Sequence, residues 1–352
     1  MQKCELIWFN GKLVRWDDAK VHVLAHALNY GTGVFEGIRV YQTPKGPAIF
    51  RLRDHARRLV DGCKIMGIDL NFGGKAYSQE TVMEAIKDAV RANRDVDYVK
   101  PCVFLSGEEV GLNPVGVQAA FAITCINMGA YLGKNASAGI KLVTSSWQRP
   151  DYLCGPAGAK VNGSYVASCL AKRESIRQGA NEAVMLNRLG HVAECTGENI
   201  FMYKFGKIFT PSVDEGILQG VTRGSVIRIA RDLGYEVCEV PVTRFMLMGA
   251  DEVWLTGTAA EIAPVTEYDG QAIGDGEPGE VSGRIHAKFA EIVTGKDRTY
   301  EEWLDYVNRS KSRRGHRSGN GCLHCCPCFP GTTSHTVAPE RISRARLLHA
   351  PK

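Results

Sequence analysis

The sequence predicts an α+β protein of two domains, and three observations carry that prediction. Up to about residue 126 a hairpin signal is mixed with two amphipathic helical stretches; beyond residue 135 short strands dominate; and the small-residue stretch Gly129-Ala130-Tyr131-Leu132-Gly133-Lys134-Asn135 separates the two regions. A chain of 352 residues, 44% hydrophobic and 23% charged, has the length to bury two cores, and its composition excludes a disordered or collagen-like polymer. The expected organisation is a small α+β domain over residues 1–126, a linker over 127–135, a large domain over 136–308 and a tail over 309–352.

In chain order, residues 6–9 and 12–14 are apolar runs flanking Asn10-Gly11, a pair that tolerates the positive φ angles of a tight hairpin turn. Residues 53–66 carry Leu59, Cys63 and Met66 on one helical stripe, and residues 79–93 carry Val82, Ile86, Ala89 and Val90 behind Ser78 as cap. The runs 99–105 and 119–126 are apolar and β-prone. Past the linker, hairpin turns are expected at Gly190, Gly206 and Asp269-Gly270. A helix there is expected to be capped by Thr222, with Val226, Ile229 and Leu233 inward and Gly234 as its stop.

Charge divides unevenly. The tail holds nine Lys or Arg against one Glu, so the body before it is −3 although the whole chain is +5. A mildly acidic body argues against nucleic acid as the main partner, since phosphate binding needs clustered positive charge. No apolar run is long enough for a membrane helix, and the acidic residue in Met1-Gln2-Lys3-Cys4-Glu5-Leu6 argues against a signal peptide, so the expected location is cytoplasmic. Eight of the twelve cysteines lie scattered before residue 309 without paired spacing and read as free thiols in a reducing compartment. The other four, Cys322, Cys325, Cys326 and Cys328, crowd into a tail without apolar periodicity; no second knuckle follows, so the tail reads as a disordered extension without a dedicated metal site. His22, His26 and His55 show no ligand spacing and read as structural.

Three segments bear on chemistry. Gly155-Pro156-Ala157-Gly158-Ala159-Lys160-Val161-Asn162-Gly163-Ser164-Tyr165 places one lysine among small residues before the helix-like run 165–178. A phosphate-binding loop is excluded, because that motif needs Gly before the Lys and Ser or Thr after it. Taken alone, Lys160 reads as an exposed loop lysine; in a dry pocket it would instead be an amine able to attack a carbonyl. Ile217-Leu218-Gln219-Gly220-Val221-Thr222-Arg223 suits an anion, since Gly220 permits close approach and the amides of Val221 and Thr222 open a helix. Thr256-Gly257-Thr258-Ala259-Ala260-Glu261 offers a second small-residue turn after the strand-like run 252–255.

Together with Glu194-Cys195-Thr196-Gly197-Glu198-Asn199-Ile200-Phe201, these pieces resemble the signature of the fold-type IV pyridoxal-phosphate enzymes. His26-Ala27-Leu28-Asn29-Tyr30-Gly31-Thr32-Gly33-Val34-Phe35-Glu36-Gly37-Ile38-Arg39 is similar to the segment that marks the branched-chain amino acid aminotransferases among them. The resemblance spans about residues 6–308 and none of the tail. It implies transfer of an amino group between leucine, isoleucine or valine and 2-oxoglutarate, with pyridoxal 5'-phosphate as cofactor, in at least a homodimer.

Site roles also follow from the resemblance. Lys160 would bond the cofactor aldehyde and then shuttle the proton at Cα; Glu194 would face the pyridine nitrogen; Tyr165 would donate to the phenolic oxygen; and Asn199 would buttress the site. Arg58, Val221, Thr222 and Thr258 would hold the phosphate. Tyr30, Phe35, Tyr131 and Tyr165 would wall the substrate pocket, with Val110 and Leu112 reaching in from a second subunit. The amides of Thr258 and Ala259 and the Tyr98 hydroxyl would meet the α-carboxylate, with Arg39 also among the substrate contacts. Two positions depart from the usual bacterial pattern, Lys100 for Arg and Met128 for Trp, and they bear on substrate range. The alternatives are a D-amino-acid aminotransferase or an aminodeoxychorismate lyase of the same fold, and a non-catalytic protein that binds through its basic tail.

Overall fold

A computed structural model of the chain describes residues 2–129, 132 and 136–307. Its strands form two large sheets. The first is antiparallel and runs, edge to edge, Leu304–Tyr306, Gly46–Phe50, Ile38–Thr43, Tyr98–Leu105, Ala119–Asn127, Leu6–Phe9 and Lys12–Arg15. The predicted hairpin turn at Asn10-Gly11 is present, with φ of 46° and 87°, and Phe121 N–H donates to Asn10 Oδ1 at 2.7 Å, pinning the turn to the neighbouring strand. Helices Leu52–Ile65 and Gln79–Arg91 bury Leu52, Ala56, Leu59 and Cys63, and Val82, Ile86, Ala89 and Val90, in one core with this sheet. That spacing is the one-sided apolar stripe expected of a helix against a sheet. Ser78 caps the second helix, accepting from Thr81 N–H.

The second sheet is mixed, ordered Val192–Cys195, Glu182–Leu186, Ile140–Thr144, Glu261–Tyr268, Glu252–Gly257, Asn199–Lys204, Lys207–Thr210 and Glu236–Glu239. Its turns fall at Gly190, Gly206 and Gly270, each with positive φ, as the sequence predicts. Helices Tyr165–Arg177, Val221–Asp232 and Glu280–Val293 accompany it.

Three features differ from the sequence reading. Thr222 is not a cap: the helix begins at Val221, its N-cap is Gly220, and no side chain caps it. Glycine is required there because a Cβ would run into Asn199 Oδ1. The helix Glu280–Val293 was not read from the sequence; its buried Val281, Ile285, Phe289 and Ile292 join Phe50, Trp254 and Trp303 in a core that bridges the two halves of the chain. The strand Leu304–Tyr306 then returns to the first sheet beside Gly46–Phe50, a crossover that three residues of local pattern do not announce. Among the described residues no helix is long and apolar enough to cross a membrane. The 309–352 tail with its cysteines lies outside the described residues, as does Tyr131.

Candidate active site

Lys160 is stitched to the first sheet. Its carbonyl accepts from Phe35 N–H at 3.0 Å, Val161 bridges Val34, and Gly163 N–H donates to Gly31 O at 3.1 Å. The last contact depends on glycine twice: Gly31 has φ 68°, and a Cβ on it would lie 2.7 Å from Gly163 Cα. The amine is thereby aimed into a cleft, where it donates to Tyr165 Oη at 2.7 Å and stands 5.0 Å from the centroid of the Phe35 ring. The same cleft is lined by Arg58, Glu194, Thr222 and Thr258.

Glu194 lines this cleft and is buried. Arg149 Nε stands 2.8 Å from its Oε1, while its Oε2 accepts from Asn199 Nδ2 and Leu218 N–H, each at 3.0 Å. Burial pushes its carboxyl above the ordinary range, against the opposing pull of Arg149, the Leu218 amide and Lys160. A carboxylate of that basicity, fixed by three partners, is built to share a proton with a ring nitrogen.

The helix Val221–Asp232 opens into the same cleft without a side-chain cap, so its first N–H groups and the helix dipole present an anion site. Arg58 stands beside it. Glu36 accepts from Arg58 Nε at 2.5 Å, from Arg58 Nη2 at 2.8 Å and from His55 Nδ1 at 2.7 Å, and Arg58 Nη1 donates to Gln219 O at 2.8 Å. Burial alone would raise Glu36, but Arg58 and His55 outweigh it and hold the carboxyl well below the ordinary range. A depressed carboxyl contributes stability that is present above its unfolded value and lost as pH falls. Glu36→Gln is therefore expected to cost about 3–5 kcal/mol at neutral pH, by leaving Arg58 without its counter-charge. The gap to the parent should narrow below pH 4.5, where Glu36 in the unfolded chain takes up a proton. Melting curves at several pH values test this, and a gap constant with pH would show that the triad contributes packing alone.

A second compartment of about 450 Å³ adjoins the cleft, lined by Phe35, Tyr98, Lys100, Met128, Thr258 and Ala259. Lys100 Nζ stands 5.2 Å over the Phe35 ring. Arg39 lines neither compartment: its guanidinium donates to the carbonyls of Thr258, Ala259 and Gly129 and pairs with Asp97, which ties it to the 257–260 turn. Val110 and Leu112 are each 81% exposed and line neither compartment of their own chain, and Tyr30 is 39% exposed. Gly111 N–H donates to the Tyr30 hydroxyl at 3.3 Å, which ties this loop to Tyr30.

The family model for amino-transferase class IV matches residues 33–268. The chain belongs to the class IV aminotransferases. The branched-chain-amino-acid aminotransferase of Escherichia coli (strain K12) is 42% identical over 311 residues, covering 88% of this chain and 99% of that protein. A crystal structure of the T.th. branched-chain amino acid aminotransferase with pyridoxamine 5'-phosphate is 44% identical, with a TM-score of 0.83 over 88% of this chain and 100% of that one. Another, complexed with N-(5'-phosphopyridoxyl)-L-glutamate, is 43% identical, with a TM-score of 0.82 over 88% of this chain and 100% of that one. The α+β architecture of this class IV aminotransferase is that of the fold-type IV structures it matches.

The donor set fits pyridoxal phosphate: an amine for an aldehyde, a buried carboxylate for a ring nitrogen, and an uncapped helix start with an arginine for a phosphate. The fold brings Lys160, Tyr165, Glu194, Asn199, Arg58, Val221, Thr222 and Thr258, all singled out from the sequence, to the wall of one cleft, where Asn199 also bonds Glu194. Sequence reasoning missed Arg149, Glu36 and His55 as parts of the site. His55 had a usable signal, because it lies three residues before Arg58 on a helix and so shares its face. Arg149, in the loop before residue 151, had none.

Proposed function

We propose that this protein is a branched-chain amino acid aminotransferase, exchanging the amino group of L-leucine, L-isoleucine or L-valine with 2-oxoglutarate through pyridoxal 5'-phosphate. The observation that carries the reading is the Lys160 amine, held 2.7 Å from Tyr165 Oη in a cleft that also presents a buried Glu194–Arg149 pair and an uncapped helix start. The match to branched-chain enzymes over nearly their whole length supports the substrate class.

When bound, the cofactor supplies an electron sink for the pair released as the Cα–H bond breaks. Lys160 would anchor it through the amine and, once freed by substrate, would be the base that takes the Cα proton and the acid that gives it back. Glu194 keeps the ring nitrogen protonated, and Arg149 holds Glu194 in place. Tyr165 donates toward the phenolic oxygen, and Arg58, Val221, Thr222 and Thr258 hold the phosphate. In the second compartment Phe35 and Met128 bury the aliphatic side chain, at about 0.8 kcal/mol per methylene. Thr258, Ala259 and Tyr98 receive the α-carboxylate, and Lys100 takes the distal carboxylate of glutamate. Tyr30, Val110 and Leu112 complete the pocket of a second subunit in a homodimer, which accounts for apolar side chains 81% exposed on one chain. The chain divides into its two domains at residues 127–135, and the enzyme works in the cytoplasm.

The visible spectrum of the purified protein tests the reading. Loss of the lysine-bound cofactor band on adding L-leucine, and its return with 2-oxoglutarate, is the expected result; a band that responds only to D-alanine would replace the reading with that of a D-amino-acid enzyme. Substrate range gives a further prediction. Lys100→Arg restores a planar fork able to grip a carboxylate with two hydrogen bonds, so KM for glutamate should fall about threefold to tenfold while KM for leucine stays level. Equal changes for both donors would remove Lys100 from distal carboxylate recognition.

A further inference from the structure

One carboxyl in the cleft has no part in the chemistry described so far. Glu198 is 3% exposed and lines both the cofactor cleft and the substrate compartment. It packs against the turn assigned to the α-carboxylate: a Cβ on Gly257, directly before Thr258, would lie 3.3 Å from Glu198 Cγ. A second buried carboxyl, Glu182, at 0% exposure, is near enough for its charge to act on Glu198. The two share one nearby lysine unequally. Glu182 accepts from Lys172 Nζ at 2.7 Å, from Thr196 Oγ1 at 2.7 Å and from Ala183 N–H at 2.8 Å, whereas Glu198 accepts from Gly197 N–H at 3.1 Å.

We propose that Glu198 is a positioning residue held as the neutral acid in the working enzyme, and that its neutrality is what allows a substrate carboxylate to settle on the Thr258–Ala259 turn. The inference rests on the aminotransferase reading above. Its physical basis is that two neighbouring carboxylates resist ionising together in a dry site, and that Glu182 already holds Lys172 by a direct hydrogen bond. Burial first, and then the charge of Glu182, push Glu198 up to about 8, against the pull of Lys172, the Gly197 amide and Lys160. The groups that act on it are Lys172 from the helix Tyr165–Arg177, Glu182 from its strand and Lys160 from its loop, and its charge reaches Cys195 on the next strand; Glu194, Tyr165, Arg58 and Lys100 line the same two compartments. An ionised Glu198 would set a fixed negative charge against an incoming carboxylate. By linkage, a bound carboxylate must favour the protonated form, so binding on the alkaline side takes up a proton.

The probe is 4-methylpentanoic acid, which has the carbon skeleton of leucine without the amino group, titrated calorimetrically into the holoenzyme from pH 6.5 to 9.5 in buffers of different ionisation heat. The expected result is that its Kd weakens roughly tenfold or more above pH 8, with proton uptake, and that Glu198→Gln abolishes both. Other titrating groups are common to the two proteins and cancel in the comparison. A flat parent profile, or a slope kept in Glu198→Gln, overturns the role of Glu198. No binding at any pH, by either protein, overturns instead the aminotransferase reading beneath it. Melting temperature supplies a second readout. A carboxyl raised in the folded state makes the parent lose stability as pH climbs from 4.5 to about 8, so the advantage of Glu198→Gln over the parent should grow across that window. An advantage that does not grow means Glu198 is ionised in the fold, and the proposal fails.

Discussion

Lys160→Ala is expected to lower kcat for L-leucine by about four orders of magnitude or more and to erase the lysine-bound cofactor band, while leaving the protein folded. The size follows from the two tasks the amine performs: it anchors the cofactor as a nucleophile, and it then carries the Cα proton as base and acid. Survival of the fold follows from where the residue is held. Its tether to the first sheet is the backbone bond from Phe35 N–H to Lys160 O at 3.0 Å and the Val34–Val161 bridge, and neither uses the side chain. The deleted side chain leaves a space beside the Phe35 and Tyr165 rings, whose centroids each stand 5.0 Å from the amine. A small primary amine such as methylamine can enter it, so added amine should restore part of the rate in proportion to its concentration. Rates measured with and without methylamine decide the matter. A loss below about a hundredfold would mean that another group carries the proton.

Some of this was legible because the information is local. The Asn10-Gly11 turn, the helix behind Ser78 and the turns at Gly190, Gly206 and Gly270 are each fixed by a few neighbouring residues whose chemistry admits one backbone path. The cleft was legible through a spaced pattern, since Glu194, Asn199, Val221 and Thr222 lie within one stretch of chain. Residues that support the site from a distance in sequence were not legible. Arg149 meets Glu194 from a loop whose sequence carries no sign of burial, and Glu36 is a lone acid in a segment where the side chains on either face had no assigned direction. The setting of Arg39 was not legible for a related reason: a sequence shows a cation near a substrate segment, but only the fold shows that four backbone and side-chain acceptors surround it. The N-terminus of the helix Val221–Asp232 was misplaced by the usual preference for Thr over Gly as cap. Glycine wins here because Asn199 Oδ1 occupies the space a Cβ would need.

Glu194→Gln separates the structural from the chemical contribution of the buried carboxylate, and its expected effects are large on both axes. Glutamine keeps an oxygen for Asn199 Nδ2 and the Leu218 amide, so the shape of the site persists. The charge does not persist, and Arg149, itself 5% exposed, becomes a buried cation without its partner. Loss of one member of such a pair costs about 3–5 kcal/mol, so the melting temperature should fall markedly. The rate should fall by about two to three orders of magnitude, the scale seen when one oriented partner of a developing charge is removed, because the ring nitrogen no longer holds its proton. Adding Arg149→Met removes the stranded cation with little change in volume, and the double variant should regain most of the lost stability. It should regain almost none of the rate, since a methionine thioether and a glutamine amide leave the nitrogen without an anionic partner. Calorimetric melting and steady-state turnover on the two variants read the two axes independently. Were turnover to return along with stability, Glu194 would act only by neutralising Arg149, and the assignment of the carboxylate to the ring nitrogen would be lost.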